Sequence, residues 1–179
     1  MTGATYIDFD TARTKGLSLI RSKENPIAGL LIIVGIHTGL RISDLLDLSF
    51  CQLRQNKLTI IEKKTKKKRE MELNDTIKTA MSYFPKEDYP DNFHAFRSQK
   101  NTVYSNKHVN RLLSKYFTGD RISSHSLRKT FGRRVYTING ESEKALLYLS
   151  ELFAHKDIAT TRIYLGIRQE ELNDIYMNL

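Results

Sequence analysis

Residues 152–166 read Leu-Phe-Ala-His-Lys-Asp-Ile-Ala-Thr-Thr-Arg-Ile-Tyr-Leu-Gly. This stretch places His155 nine residues before Tyr164, with a Thr-Thr pair between them. Asp157 is a suitable helix N-cap and Gly166 a suitable stop, so we expect a short helix that carries the tyrosine. Such a tyrosine can be a nucleophile toward phosphorus, or an ordinary amphipathic residue at a helix end. The first interpretation requires that other parts of the chain supply cations and proton donors.

The composition of the chain indicates one globular domain. Its 179 residues, of which 40% are hydrophobic, suffice for a sizeable core. Cys51 is the single cysteine, which excludes an internal disulfide and a multi-cysteine metal site. The longest apolar run, residues 27–36, is too short to span a bilayer, and the first ten residues do not resemble a signal peptide. We therefore expect an intracellular protein that does not bind a membrane.

Most of the positive charge is concentrated in one segment. The formal net charge is +9, and residues 54–69 contain eight basic residues and one acid. That segment alone accounts for +7, so the rest of the chain is almost neutral. A concentrated basic segment favours a polyanionic partner, with nucleic acid ahead of an anionic membrane.

The spacing of apolar residues predicts a mainly helical domain. The predicted helices cover residues 8–21, 25–38, 41–48, 74–83, 105–117, 123–140, 141–153, 157–166 and 169–177. The period changes at 57–61 and 69–73, which we predict to be two strands with the basic residues 63–68 at the tip between them. The expected fold class is mainly α with a small antiparallel β-hairpin (α+β).

Arg41 lies at the predicted start of the third helix, where its charge opposes the helix dipole. It therefore needs another reason to be there. One is binding of a phosphate group. The other is a salt bridge to Asp44, three residues further along the helix.

The hairpin lysines form the most basic part of the chain, and they are Lys63, Lys64, Lys66, Lys67 and Lys68. We expect them, together with Arg69, to form a solvated tip that faces DNA. One of the lysines can also act as a general acid, since an ammonium group desolvated beside a phosphate can give up its proton.

Two further cationic positions are His125 and Arg128, which lie on one face of a predicted helix and can point at a single phosphate. His-x-x-Arg alone is a weak signal. His155 taken alone is a common kind of structural histidine. Tyr164 has an ordinary pKa of about 10 and needs cationic neighbours to become a nucleophile. No two histidines have the spacing of a metal site, so we predict no metal and no cofactor.

Taken together and in order, these segments resemble the catalytic domain of tyrosine recombinases (phage integrases). Thr-Gly-Leu-Arg-Ile-Ser-Asp-Leu-Leu at 38–46 is similar to the block that holds the first arginine of that family. The hairpin that ends at residues 69–73 is similar to its lysine hairpin. His-Ser-Leu-Arg-Lys-Thr-Phe at 125–131 is similar to its His-x-x-Arg block, and residues 152–164 to the block with the second histidine and the nucleophile.

The resemblance covers about residues 5–179 and implies a role for each matching position. Arg41 and Arg128 would clamp the phosphate and His155 would donate a further hydrogen bond to it. His125 would be the acid/base partner of the tyrosine. The remaining two catalytic positions implied are Lys64 as the acid that protonates the leaving oxygen, and Tyr164 as the nucleophile.

Several positions differ from the family pattern. Asp44, expected to support the site, stands where an acid one methylene longer is usual. Ala154 and Lys63 each replace a common glycine, and the latter leaves Lys63 and Lys66 as alternatives to Lys64. We expect residues 1–179 to lack the separate N-terminal DNA-clamping domain that larger members have. We therefore expect residues 1–179 to be a single catalytic domain, either a minimal recombinase or an excised domain.

The activity implied by the resemblance is site-specific recombination of double-stranded DNA through a 3′-phosphotyrosine, without ATP or metal. Two alternatives remain: strand swivelling of the type IB topoisomerase kind, and a DNA-binding module that kept the fold without exchange activity. The resemblance also implies a tetramer on DNA, with a monomer possible when free. The last helix, 169–177, would then dock on a neighbouring protomer or on its own core. The expected location is the cytoplasm, in association with the nucleoid.

Overall fold

A computed structural model describes residues 3–98 and 100–178. The predicted domain limits at residues 1 and 179 lie outside these residues. Within them the helices are α1 (Phe9–Arg21), α2 (Pro26–Thr38), α3 (Ile42–Leu45), α4 (Phe50–Leu53), α5 (Asp75–Met81), α6 (Asn106–Tyr116), α7 (Ser124–Ile138), α8 (Glu143–Phe153), α9 (Ile158–Leu165) and α10 (Ile167–Met177). The strands β1 (Lys57–Ile61) and β2 (Lys68–Glu72) form a two-stranded antiparallel sheet. The predicted fold class is confirmed.

Local capping explains where the helices begin and end. Asn25 accepts a hydrogen bond from the backbone of Ala28, and Pro26 occupies the first turn of α2, where no backbone donor is needed. Gly39 ends α2 in the left-handed conformation, with φ at +59°. Later in the chain, Asp157 caps α9 through the backbone of Thr160, as the sequence predicts.

The third predicted helix was wrong in extent. It was expected to reach residue 48, but α3 ends at Leu45 and a tight turn follows, in which Leu48 N–H donates to the Leu45 carbonyl. The unpredicted helix α4 then begins after Ser49. Ser49 and Gln52 form a reciprocal capping box, which gives this four-residue helix its own start signal.

The hairpin has one face on the core and one in solvent. Leu58 and Ile60 of β1 are buried, whereas the alternate residues of the strand are exposed. In β2 no residue is fully buried, and the alternate residues Lys68, Glu70 and Glu72 are exposed. The pairing places Ile60 opposite Arg69 and Ile61 opposite Lys68.

The core consists of two apolar clusters that meet along α7. The larger one surrounds α2, which is buried over nearly its whole length, and includes Leu127 at the start of α7. The smaller one joins α8, α9 and the far end of α7 through Tyr136, Phe153 and Leu165. Because α7 belongs to both clusters, its first half lies where the two parts of the fold meet.

Candidate active site

Arg41 leaves the end of α2 through a turn that only glycine fits well. A Cβ on Gly39 would lie 2.3 Å from the Phe131 ring, so the chain passes close to α7 at this point. Arg41 then occupies the N-cap position of α3 without a capping bond. Its guanidinium donates to Glu62 Oε2 at 2.7 Å and to the Phe153 carbonyl at 2.9 Å. The predicted alternative partner, Asp44, is therefore not the carboxylate that pairs with Arg41.

Arg128 projects from α7 into the same place and is almost fully buried. It donates to the carbonyl oxygens of Gly39 and Phe153, and its guanidinium carbon lies 4.2 Å from the centre of the Phe153 ring. Burial lowers the pKa of Arg128 to about 10, an effect to which the nearby charge of Arg41 also contributes. The group still carries its proton at neutral pH.

The two arginines converge on one acceptor, the Phe153 carbonyl at the C-terminal end of α8. The last carbonyls of a helix lack intrahelical partners and carry a partial negative charge, which favours cations there. Ala154 follows in the left-handed conformation, with φ at +53°, where a glycine is usual. This turn brings His155 back toward the arginines.

His155 and Tyr164 lie together against Phe153. The rings of His155 and Tyr164 are 5.2 Å apart in an edge-to-face arrangement. His155 Nδ1 is 2.9 Å from the hydroxyl oxygen of Thr161, which is fully buried in α9. Burial lowers the pKa of His155, and the charges of Arg128 and Arg41 lower it further. His155 is therefore neutral at neutral pH.

The Tyr164 hydroxyl is buried and makes no hydrogen bond within the described part of the chain. Burial raises the pKa of Tyr164, while the charges of Arg128 and Arg41 and the close approach of the Arg128 guanidinium to the hydroxyl act in the opposite direction. Lys129 lies over the phenol ring, with its Nζ 5.1 Å from the ring centre. A buried hydroxyl without a partner costs about 1–3 kcal/mol, so this one is poised to gain from a ligand that supplies the missing hydrogen bond.

His125 lies near the start of α7, one turn before Lys129, and is exposed. Desolvation lowers its pKa, and so do the charges of Lys129 and Arg128. At neutral pH the imidazole is therefore uncharged, and a ring nitrogen is free to accept a proton.

Lys64 is held at the rim of the site by a turn that two buried acids fix. Asp44 Oδ1 accepts a hydrogen bond from Lys63 N–H at 2.9 Å, and Glu62 Oε2 accepts one from the Thr65 hydroxyl at 2.7 Å. Both acids are buried. The residue expected to support the site, Asp44, thus contacts the hairpin backbone next to Lys64, and its second oxygen, Oδ2, makes no hydrogen bond among the described residues.

The other hairpin residues differ in how far they are available to a partner. Lys66 and Lys67 are exposed and enter no ion pair among the described residues, whereas Lys63 pairs with Asp47 and Lys68 with Glu70. Arg69 differs from the prediction, because its guanidinium points inward, toward Glu62, and donates to the Thr38 carbonyl at 2.8 Å. It belongs to the support of the site rather than to the solvated tip.

The structure brings all six residues that the sequence singled out as catalytic into one cleft of about 350 Å³. These residues are Arg41, Lys64, His125, Arg128, His155 and Tyr164. The cleft lies between the hairpin on one side and α7 and α9 on the other, at the junction of the two core clusters. It combines two guanidiniums, an ammonium, two imidazoles and a phenol, which suits stabilisation of a phosphate.

Sequence reasoning missed two residues that contact this set. Glu62 pairs with Arg41 and Arg69, and its sequence signal was its position as the single acid in the basic segment 54–69. Lys129 follows Arg128 directly, but nothing in the sequence indicated that it lies over the Tyr164 ring, because that contact depends on how α7 and α9 pack.

Two further features of the described residues limit the kinds of site. They contain no group of three or more His, Cys, Asp or Glu side chains placed to hold a metal ion. Among the same residues, the helices are all too short or too polar to cross a membrane.

Comparison with known proteins agrees with the geometry. The model of the Phage integrase family matches residues 20–171. The chain is 32% identical over 156 residues to the probable integrase/recombinase YoeC of Bacillus subtilis, covering 82% of this chain and 81% of that protein. It is 28% identical over 153 residues to tyrosine recombinase XerC of Caldanaerobacter subterraneus, covering 80% of this chain but only 42% of XerC.

A solved structure shares the fold. The XerH site-specific recombinase bound to its palindromic difH substrate, in a post-cleavage complex, superposes with a TM-score of 0.65 at 24% identity. The match covers 96% of this chain and 52% of the XerH chain. The family match over most of the chain, the similarity to YoeC and the shared fold lead to one conclusion: the chain belongs to the phage integrase family.

Proposed function

We propose that this chain is the catalytic domain of a site-specific DNA recombinase, an enzyme that breaks and rejoins double-stranded DNA through a 3′-phosphotyrosine intermediate. The observation that carries the proposal is the buried hydroxyl of Tyr164, which makes no hydrogen bond among the described residues and lies in a cleft that also contains Arg41 and Arg128. A phosphodiester in the cleft would give the phenol its missing partner and the guanidiniums an anion.

The two arginines are suited to bind the non-bridging oxygens of the phosphate. Each uses two N–H groups on the protein, and a guanidinium has five, so donors remain for a ligand. Their positions are fixed before the substrate arrives, because both are held by the Phe153 carbonyl. Preorganised donors of this kind stabilise the negative charge that builds up in the transition state.

In the cleavage step, the Tyr164 oxygen forms a bond to phosphorus and the bond from phosphorus to the 5′ oxygen breaks. The phenol proton passes to His125, whose lowered pKa leaves it neutral and able to accept. The leaving 5′ oxygen takes a proton from Lys64. Since the phosphotyrosine conserves the energy of the phosphodiester, the reverse attack by a 5′ hydroxyl rejoins the strand without ATP.

His155 completes the set as a hydrogen-bond donor to the same phosphate. When the Thr161 hydroxyl donates to His155 Nδ1, the ring proton is on Nε2, where it can be donated to the ligand. His155 does not have to be charged for this role, because a neutral imidazole also has one N–H group that can donate to the phosphate.

Double-stranded DNA is the proposed partner. The exposed Lys66 and Lys67 follow Lys64 by two and three residues in the same hairpin turn, where they can contact the DNA backbone next to the cleft. The structurally similar XerH is itself bound to a DNA substrate. We further propose that the chain assembles as a tetramer on two duplexes, can be a monomer when free, and acts in the cytoplasm on nucleoid DNA. The single-domain limits, residues 1–179, remain a prediction.

The proposal can be tested without knowing the target site. The protein is incubated with a pool of nicked duplexes that contain a randomised central segment, so that cleavage near the nick releases a short strand and traps the covalent product. Adducts that survive SDS are isolated, and their DNA is sequenced to define the preferred site. Wild-type protein should form the adduct, Tyr164→Phe should form none, and an adduct with Tyr164→Phe would refute the assignment.

The same experiment separates the alternatives. A DNA-binding module without activity would retain duplexes but give no SDS-resistant adduct. A swivelling topoisomerase would give adducts without sequence enrichment, and would relax supercoiled plasmid without exchanging strands. Enrichment of one sequence, followed by strand exchange between two duplexes that carry it, is the result we expect.

A further inference from the structure

Glu62 lies between Arg41, one of the two arginines of the cleft, and the hairpin turn that contains Lys64. Its side chain is only 6% exposed. Oε2 accepts from Arg41 at 2.7 Å and from the Thr65 hydroxyl at 2.7 Å, and Oε1 lies 3.5 Å from Arg69. One carboxylate oxygen therefore joins a clamp arginine to the turn that contains Lys64.

The turn around Lys64 is closed from both sides. The backbone carbonyl of Glu62 accepts from Lys66 N–H at 2.8 Å, and Lys66 itself is in the left-handed conformation. The side chain of Thr65 points back to Glu62, and the backbone of Lys63 is held by Asp44. Lys64 is thus the central residue of a short segment whose neighbours on both sides are fixed by buried carboxylates.

If Glu62 served only to stabilise the fold, an ion pair with Arg69 would be sufficient, and the contacts with Arg41 and Thr65 would not be needed. Arg69 alone provides Glu62 with a cation and is itself held by the Thr38 carbonyl. Burial opposes ionisation of Glu62, but the Thr65 hydrogen bond and the nearby charges of Arg41 and Arg69 lower its pKa overall, so the carboxylate is charged at neutral pH. A charged, shared acceptor restrains the direction of Arg41 and the path of the turn together.

We propose that Glu62 is a positioning residue for strand cleavage, which orients Arg41 toward the phosphate and, through Thr65, orients Lys64 toward the leaving oxygen. This inference rests on the proposed function. Glu62 itself does not touch the reacting atoms. Its removal should therefore weaken two separate contributions, phosphate stabilisation and protonation of the leaving group.

Two substrates separate these contributions. The first is the duplex recovered from the randomised pool. The second is the same duplex with sulfur in place of the bridging 5′ oxygen at the cleaved position. A thiol has a pKa near 8.5, far below that of an alcohol, so a thiolate departs without help from a general acid. The rate of cleavage of the sulfur substrate therefore does not depend on Lys64, but it still depends on Arg41.

Four variants are compared with the wild type in single-turnover adduct formation. Glu62→Gln removes the charge, Thr65→Val removes only the hydroxyl group, and Thr65→Ser restores it. Glu70→Gln is the matched control, because Glu70 is an acid of the same hairpin that pairs with Lys57 and Lys68 instead of Arg41. Thermal unfolding of each variant is recorded in parallel.

We expect Thr65→Val to slow cleavage of the oxygen substrate by about 10- to 100-fold and to cleave the sulfur substrate at the wild-type rate. Glu62→Gln should cleave the oxygen substrate at least as slowly as Thr65→Val does. The sulfur substrate should restore only part of its rate, because Arg41 then has no carboxylate partner. Thr65→Ser and Glu70→Gln should match the wild type on both substrates.

The inference is overturned if Glu62→Gln cleaves the oxygen substrate at the wild-type rate. It is also overturned if Thr65→Val is equally slow on both substrates, since a general disruption of the fold would affect them alike. Should Glu62→Gln fail to fold, the comparison of Thr65→Val with Thr65→Ser still decides the link to Lys64. Absence of adduct with the wild type would instead refute the proposed function, so the two failures are distinguishable.

Discussion

Gly132 on α7 is a position where a single added methyl group should disturb the candidate site. A Cβ there would lie 2.6 Å from a terminal methyl carbon of Leu165 and 3.1 Å from two carbons of the Phe153 ring. Leu165 follows Tyr164 in α9, and Phe153 carries the carbonyl that holds both arginines. Gly132→Ala should therefore push α9, and the tyrosine with it, away from α7.

Two opposing effects set the size of the change in stability. Replacing glycine by alanine inside a helix stabilises it by about 1 kcal/mol. Overpacking a closely packed region costs about 1–3 kcal/mol. The net expectation is a destabilisation of about 1 kcal/mol, or a fall in Tm of about 2–4 °C for a chain of this size. A nucleophile displaced by about 1 Å can react about 100-fold more slowly, so adduct formation should fall by about 10- to 100-fold.

The assay is a double-mutant cycle with Leu165→Ala, followed by thermal unfolding and adduct formation. Leu165→Ala alone should cost about 2–5 kcal/mol, because it leaves a cavity. In the double variant the new methyl group can occupy part of that cavity. The double variant should therefore lose about 1 kcal/mol less unfolding free energy than the sum of the losses of the two single variants. If Gly132→Ala is instead about 1 kcal/mol more stable than the wild type, with unchanged adduct formation, the steric reasoning is refuted.

Three further predictions concern charge. Because the pKa of His125 is lowered from 6.5, the rate of adduct formation should be level at neutral pH and fall only as the pH drops below that value; a wild-type pH–rate profile with its midpoint above 6.5 would contradict this. The pKa of Glu62 in the folded protein is lowered from 4.5. The contribution of its carboxylate to stability should therefore be fully present above pH 4.5 and lost as the pH falls through the lower pKa of the folded state. The difference in Tm between the wild type and Glu62→Gln should accordingly shrink on acidification. Replacing Lys66 and Lys67 by alanine should reduce the slope of log affinity against log salt by about 0.9 for each DNA phosphate that these lysines neutralise, as measured by fluorescence anisotropy with duplex DNA; an unchanged slope would show that they do not bind the backbone.

Local signals in the sequence were sufficient for most of the secondary structure. Caps such as Asn25, Asp157 and Gly39 act within a few residues, so helix ends could be placed close to where the structure has them. The exceptions arose where two signals compete over a short distance. The leucine pattern before Ser49 predicted one helix to residue 48, whereas α3 ends at Leu45 and Ser49 starts a separate helix that was not predicted.

The candidate site was predictable as a set of residues but not as an arrangement. His125 and Arg128 lie on one helix, so their proximity follows from the helical repeat. The roles of Glu62 and Arg69 could not be predicted from the sequence, because the pattern of a basic hairpin does not show whether a charged side chain faces solvent or the core. Only the pairing of β1 with β2 and the packing of the hairpin on α2 direct those two side chains inward.

The sequence by itself determined most of the elements, the charge of the hairpin and the six catalytic candidates in the cleft, since each depends on short-range pattern or on residue type. The tertiary structure alone decided that the Phe153 carbonyl holds both arginines, that Glu62 joins Arg41 to the Lys64 turn, and that the Tyr164 hydroxyl is buried without a partner among the described residues. These interactions connect residues as much as 112 positions apart. They exist because α7 belongs to both core clusters and brings α8, α9 and the hairpin to one place.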